Sequence, residues 1–277
     1  MKIYVLIEDS KPKGSAYIAE HGLSLYFVYQ GKRILFDTGA SDAFIYNATL
    51  LGIDLLKVDM CILSHAHDDH TGGLACFLGI NKHAPVYLKS AARGDFYIRH
   101  LTKTEYAGMD KSLPEKYPDR FRFIDDDAEL LEGLYLSGVR KYRKLPLFSS
   151  MMYEKRGDAL VRDDLSQEQF LAIRGKEGVT VITGCSHNGL INVLMTAEEK
   201  YGPVSAVLGG FHLSGSRSQG MPTFQESGGE IAAIIRYINK KNIKKVYTGH
   251  CTGEKPLEKL ELMARVKKMK TGDIIEV

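Results

Sequence analysis

The sequence predicts an α/β protein of strands and helices, and three observations carry that expectation. Short apolar or alternating runs, bounded by Gly, Pro, Asn or Asp, recur along the chain. Helical periodicity is interleaved with them through the second half. With 277 residues, the chain is long enough to bury a substantial core as one large domain or two small ones. We read 1–277 as one domain, and the order of elements permits a four-layer αββα sandwich.

In chain order, the first strands fall at 2–7, 23–29, 33–36, 60–63 and 85–88. The step Gln30-Gly31-Lys32 suggests a tight hairpin between the second and third. Residues 89–122 break the rhythm. They are rich in Lys, Arg, Tyr and Gly, include Pro114 and Pro118, and read as an inserted cap. A basic cluster follows at Arg140, Lys141, Arg143 and Lys144. The second strand series lies at 134–136, 169–173, 179–183, 204–208, 245–247 and 273–277. Ile231, Ile234, Ile235 and Ile238 fall on one helical face, with Arg236, Asn239 and Lys240 outside it. The stretches 188–200 and 254–268 read as further helices, with Pro256 in the first turn of the latter.

Composition narrows the function classes. A net charge of +3 is too small to argue for nucleic acid and suits an anionic small substrate. Cys61, Cys76, Cys185 and Cys251 include no CxxC pair and read as reduced thiols. The first residues lack the apolar core of a signal peptide, and no run reaches the roughly 20 apolar residues of a membrane span. The expectation is a soluble cytoplasmic protein without nucleic-acid or membrane partners.

The chemistry is concentrated in Ser64-His65-Ala66-His67-Asp68-Asp69-His70-Thr71-Gly72-Gly73, directly after a buried strand. Neutral imidazole and carboxylate suit zinc first, with iron or manganese as alternatives. His65 and His67, two apart at a strand end, can face the same side of extended chain. A solvated His-rich loop is the bland alternative, but three histidines in six residues outrun chance when the chain holds nine. P-loop, Rossmann and Ser-His-Asp signatures are absent.

His65-Ala66-His67-Asp68-Asp69-His70 resembles the HxHxDH signature of the metallo-β-lactamase superfamily. Phe36-Asp37-Thr38-Gly39, Gly184-Cys185-Ser186-His187-Asn188-Gly189 and Gly249-His250-Cys251 are similar to further motifs of that superfamily. The resemblance implies the αββα sandwich and one or two divalent metals. It implies that His65, His67 and His187 hold the first metal, that Asp69, His70 and His250 hold the second, and that Asp37 orients ligands from behind. One departure stands out: Leu208-Gly209-Gly210-Phe211-His212-Leu213 carries His212 where the superfamily has a bridging Asp. An imidazole lone pair serves one metal, so His212 is either a ligand or a catalytic group beside the metals. Glu20-His21-Gly22-Leu23-Ser24 with the motifs above is similar to a narrower branch, the dihydropterin–ribofuranosylaminobenzene phosphate synthases. Members of that branch join a dihydropterin-methyl diphosphate to a ribosylated aminobenzene phosphate.

The function expected is a metal-dependent hydrolase, or a related transferase, acting on a phosphate-containing and pterin-type small molecule through metal-bound hydroxide or Lewis acidity. Asp69 is the natural proton handler if the second metal position is empty. The alternative is an iron-containing redox protein on the same fold, with Cys185 and Cys251 near the metal, although a buried Cys is more often a small hydrophobe. His21 is a candidate at the mouth of the site. Lys89, Arg93, Arg99 and Lys103, interleaved with Phe96 and Tyr97, are candidates to grip phosphate and stack a ring. The loop 215–220, with Arg217, has anion-binding potential. A solvated face is the plainer reading of these cations.

Overall fold

A computed structural model describes residues 1–99, 103–146, 148–215, 224–225 and 228–277. Two seven-stranded sheets form the body. The first has the spatial order Ile274–Glu276, Lys2–Ile7, Ser24–Tyr29, Lys32–Phe36, Met60–Ile62, Val86–Leu88, Phe121–Phe123. The second runs Val266–Lys268, Lys245–Thr248, Val204–Leu208, Gly178–Thr183, Gln169–Gly175, Leu134–Gly138, Ala128–Leu131. The predicted hairpin forms as Tyr29 pairs with Lys32, and Gln30 and Gly31 both take positive φ (48° and 78°).

Alternation along the strands creates the layers. Ile3, Val5, Leu25, Phe27, Ile34 and Phe36 from the first sheet meet Leu134, Leu136, Leu171, Ile173, Ile182 and Leu208 from the second. On the outer face of the first sheet, Leu6, Leu35, Cys61 and Val86 pack on helices Ala43–Leu50 and Leu74–Ile80. On the outer face of the second, Val181, Val207 and Val246 pack on Leu190–Tyr201, Gly228–Lys241 and Glu254–Met263. Ile231, Ile234, Ile235 and Ile238 are the buried face of the second of these helices, as their spacing predicts. Burying each contributes about 1.5–3 kcal/mol. The result is the expected αββα sandwich.

The third helix corrects the sequence reading. It ends at Met263 rather than running to 268, because Ala264 turns extended and Val266 pairs in parallel with Val246. The 89–122 excursion is half of a larger unit. Its strands Asp95–Arg99 and Thr104–Tyr106 form a four-stranded sheet with Met152–Arg156 and Ala159–Arg162. This small sheet touches the histidine motif directly: Asp68 N donates to Ala107 O (2.9 Å) and His67 bridges Gly108. No helix among the described residues is long and apolar enough to cross a membrane.

Each large sheet has an antiparallel half and a parallel half. The motif residues follow the C-terminal ends of the parallel-paired strands: Asp37 after Phe36, Ser64 to His70 after Ile62, Cys185 after Thr183, Gly209 after Leu208 and His250 after Thr248. That is the edge where α/β sheets bind ligands.

Candidate metal centre

Asp37, fully buried, is the hub of the site. Its carboxylate accepts from Ser64 N, from Ser64 Oγ and from His70 Nδ1, each at 2.7 Å. Ser64 Oγ directs its single proton at Asp37, so at 2.8 Å it accepts from His65 Nδ1. Asp9 Oδ1 likewise accepts from His250 Nδ1 at 2.7 Å. Because a carboxylate only accepts, these contacts place the ring proton on Nδ1 in His65, His70 and His250. Each Nε2 is left to face the interior.

Those Nε2 atoms converge. His70 Nε2 lies 3.2 Å from His250 Nε2, which is 3.2 Å from Asp69 Oδ2. His65 Nε2 lies 3.2 Å from His187 Nε2. The rings of His65 and His67 are 4.5 Å apart, those of His67 and His187 4.7 Å. Lone pairs facing each other across 3.2 Å in a dry interior repel unless something positive lies between, a proton or a metal ion. His187 adds to this, since its Nδ1 is buried without a hydrogen-bond partner. Such an orphan costs about 1–3 kcal/mol unless another group engages the ring.

Electrostatics sorts the ligands. Burial, together with the neighbouring imidazoles, pulls the pKa values of His65 and His187 well below the ordinary histidine value and keeps both rings neutral. Burial acts the same way on His250, but the Asp9 and Asp69 carboxylates outweigh it and raise its pKa well above that value. A cation at His250 must therefore displace a proton. The potential ligand atoms fall into overlapping groups, Asp69/His70/Cys185/His250, His65/Cys185/His187 and His65/His67/Asp69. Imidazole, carboxylate and thiol at these separations fit a pair of divalent ions.

Backbone strain clusters at the same loops. Asp37, Ser186, His212 and His250 have φ of 58°, 57°, 48° and 47°, the left-handed region that non-glycine residues avoid. Gly184 permits close approach, because a Cβ there would overlap Ser64 Oγ.

The structure thus brings together His65, His67, Asp69, His70, His187 and His250, with Asp37 behind them. The His212 ring packs 4.2 Å from that of His187, and its nitrogens group with Cys185 and Cys251. His21 lies at the mouth, one third exposed, with Nδ1 on Asp9 Oδ2 (2.8 Å) and Nε2 3.3 Å from Asp69 Oδ2. The cationic candidates are engaged elsewhere. Lys89 Nζ donates to Asp125 O (2.7 Å), Arg93 stacks on Phe123 (3.7 Å), Arg99 lies over Tyr153 and Lys103 pairs with Glu105. Arg93 also lines, with Met109, Lys111, Pro114 and Glu115, a pocket of about 360 Å³. Arg217 and residues 216–220 of its loop lie outside the described residues.

Sequence reasoning missed the supports. Glu8 accepts from His250 N (2.5 Å), and Glu168 from His187 N (2.5 Å) and Asn188 N (2.8 Å). Burial pushes both carboxyls up. Asp9 follows an apolar strand as Asp37 does, the one local signal that could have found it.

A family model described as the metallo-beta-lactamase superfamily matches residues 19–189. The chain belongs to the metallo-β-lactamase superfamily. Within it, the chain is 33% identical to the 7,8-dihydropterin-6-methyl-4-(beta-D-ribofuranosyl)-aminobenzene-5'-phosphate synthase of Methanocaldococcus jannaschii, across 92% of this chain and 88% of that one. Among solved structures, Tm1679, described as a metal-dependent hydrolase of the beta-lactamase superfamily, matches with a TM-score of 0.83 at 32% identity, covering 100% of this chain and 99% of that one. Zinc-bound PqqB from Methylobacterium extorquens shares the fold at a TM-score of 0.59 and 13% identity, with both chains fully covered. This superfamily member is a metal-dependent enzyme of its fold.

Proposed function

We propose that this protein is a two-metal enzyme, zinc being the metal its donors suit first, that displaces a diphosphate or phosphate group from an anionic, pterin-type small molecule. The observation that carries the reading is the pair of facing imidazole contacts at 3.2 Å, His70–His250 and His65–His187. The kinship with a pterin-phosphate synthase over most of the chain supports the substrate class.

In this reading His65, His67 and His187 hold one ion, and Asp69, His70 and His250 the other. Bound ions would supply Lewis acidity towards phosphate oxygens and would lower the pKa of water from about 15.7 towards 7. The protein's own groups do the rest. Asp37 and Asp9 fix the tautomers that aim His65, His70 and His250 inward. Where the second position is empty, Asp69 Oδ2 takes or returns a proton, and His21, 3.3 Å away and partly exposed, passes it to solvent. His212 acts beside the ions on the substrate. Phe96, edge-on to His67 at 6.2 Å, brings the small sheet over the site and limits water.

The test is to count metal in the purified protein and incubate it with a dihydropterin-methyl diphosphate, with and without the ribosylated aminobenzene phosphate, while following diphosphate release. Metal-dependent release supports the proposal; release that needs the acceptor makes it a synthase, and release without acceptor makes it a hydrolase. His65→Ala or His67→Ala should abolish both metal and turnover with the fold intact. Full turnover by metal-free protein would sink the reading. A coloured, redox-active iron protein without turnover would favour electron transfer instead.

A further inference from the structure

We propose that Cys185 supplies a thiolate that bridges the two metal ions, in the role for which the Leu208-to-Leu213 segment offers no carboxylate. The inference rests on the two-metal reading above and adds a residue to it.

Position is the first ground. Cys185 lies two residues beyond the end of the parallel-paired strand at Thr183 and is 2% exposed. Its Sγ is 3.0 Å from His70 Nε2, shorter than a thiol–nitrogen hydrogen bond needs and close to the atom that faces His250. Cys185 is common to the group Asp69/His70/His250 and the group His65/His187, as Asp69 is common to the first of these and His65/His67, with all ligand atoms of each group within 4.8 Å of one another. A sulfur common to both ligand sets is placed between them.

Geometry and charge are the second. Zinc–sulfur bonds are about 2.3 Å, so one sulfur reaches two ions up to roughly 4.6 Å apart, which covers the ~3.5–4 Å of two-metal sites. The other donors are five neutral imidazoles and one carboxylate, Asp69, a single negative charge against two divalent ions. Leaving the remaining positive charge buried is costly, and a bridging thiolate removes part of it from the place where both ions feel it. His212, with one usable lone pair, cannot do this.

The surroundings are shaped for it. Gly210 N donates to Gly184 O at 2.7 Å, and a Cβ on Gly210 would crowd Cys251 Sγ and Gly184 O. Gly210 therefore keeps a side chain out of the space beside Gly184 and Cys185.

X-ray absorption on the unmodified, zinc-loaded protein reads this directly: one sulfur scatterer per zinc at about 2.3 Å is expected. With cobalt as probe, the wild type and Cys251→Ser should both show a near-ultraviolet thiolate-to-cobalt charge-transfer band. Cys185→Ser should lose it and drop from two bound ions to one. Cys185→Asp should regain the second ion without the band, which separates a bridging role from a merely structural one. Two bound ions with no sulfur scatterer, or a band that survives in Cys185→Ser, would overturn the proposal and leave the two-metal reading standing. Wild-type protein that binds no metal overturns both.

Discussion

Asp37→Asn isolates what the buried carboxylate does. Asn tolerates the left-handed backbone that Asp37 adopts at φ 58°, so the change alters hydrogen bonding with little backbone cost. One face of the side chain now donates. If the new carbonyl keeps the Ser64 N–H, the amide nitrogen meets Ser64 Oγ and His70 Nδ1, which were both donating to it at 2.7 Å. His70 can escape by moving its proton to Nε2, and it then points N–H instead of a lone pair at the centre. A charge-assisted hydrogen bond contributes about 1.5–3 kcal/mol, which corresponds to roughly a 10–150-fold loss of affinity at the second metal position. The first position depends on Asp37 only through Ser64 and His65 and should lose less. Chelator competition gives the two affinities, and a melt of the metal-free variant reports the fold. Equal weakening at both positions, or none at either, would refute the tautomer argument.

Four further outcomes are expected. His212→Ala should keep the full metal complement while turnover falls, by ~10²–10⁴-fold if it transfers a proton; metal counts beside steady-state rates decide this. Metal affinity at the His250 position should fall as pH drops from about 8 to about 6, since the carboxylate-raised His250 proton competes with the ion, and pH-stepped chelator titrations measure it. In metal-free protein, burial pushes the Asp9 carboxyl up, but His250 and His21 outweigh it and hold it well below the usual carboxylate range. That stability is present above the unfolded value of 3.8 and is lost as pH falls through the folded one, so urea melts of Asp9→Asn should differ from wild type near neutrality and converge in acid. Gly184→Ala should destabilise by about 1–3 kcal/mol and weaken metal binding together, because the added methyl displaces the Ser64 hydroxyl that links Asp37 to His65.

How much of this was legible in the sequence followed the range of the interactions. The strands and the His65-to-His70 cluster were readable because hydrophobic alternation and ligand chemistry are written in neighbouring residues. Glu8 was not, since its partner His250 lies 242 positions away. Glu168 was hidden for the same reason, its partners His187 and Asn188 lying outside its own neighbourhood in the chain. The small sheet was half-read because Asp95–Arg99 pairs with Met152–Arg156 across an intervening stretch of body strands. The end of the third outer helix was misplaced because parallel pairing of Val266 with Val246 overrides helical propensity at 264–268. The sequence places Cys185 two residues before His187 and leaves it between a small hydrophobe and a metal-proximal thiol. Its nearness to His70 as well as to His65 and His187 appears only when the sheets are placed face to face.

That placement also explains why metal loss should empty the site without unfolding the protein. The first sheet delivers Asp37 and His65 to His70, and the second delivers Cys185, His187 and His250. The centre therefore clamps one edge of the sandwich. The sheets are held together along their faces by an apolar layer from Ile3 and Phe27 to Ile182 and Leu208, each buried side chain contributing about 1.5–3 kcal/mol. Against that layer, the loss of one ligand such as His65 removes a local contact at the rim. The supports behind the ligands, Asp37 on Ser64, Glu8 on the His250 amide and Glu168 on the His187 amide, persist without any ion. The empty site should accordingly stay preorganised, and metal should return to it without refolding of the chain.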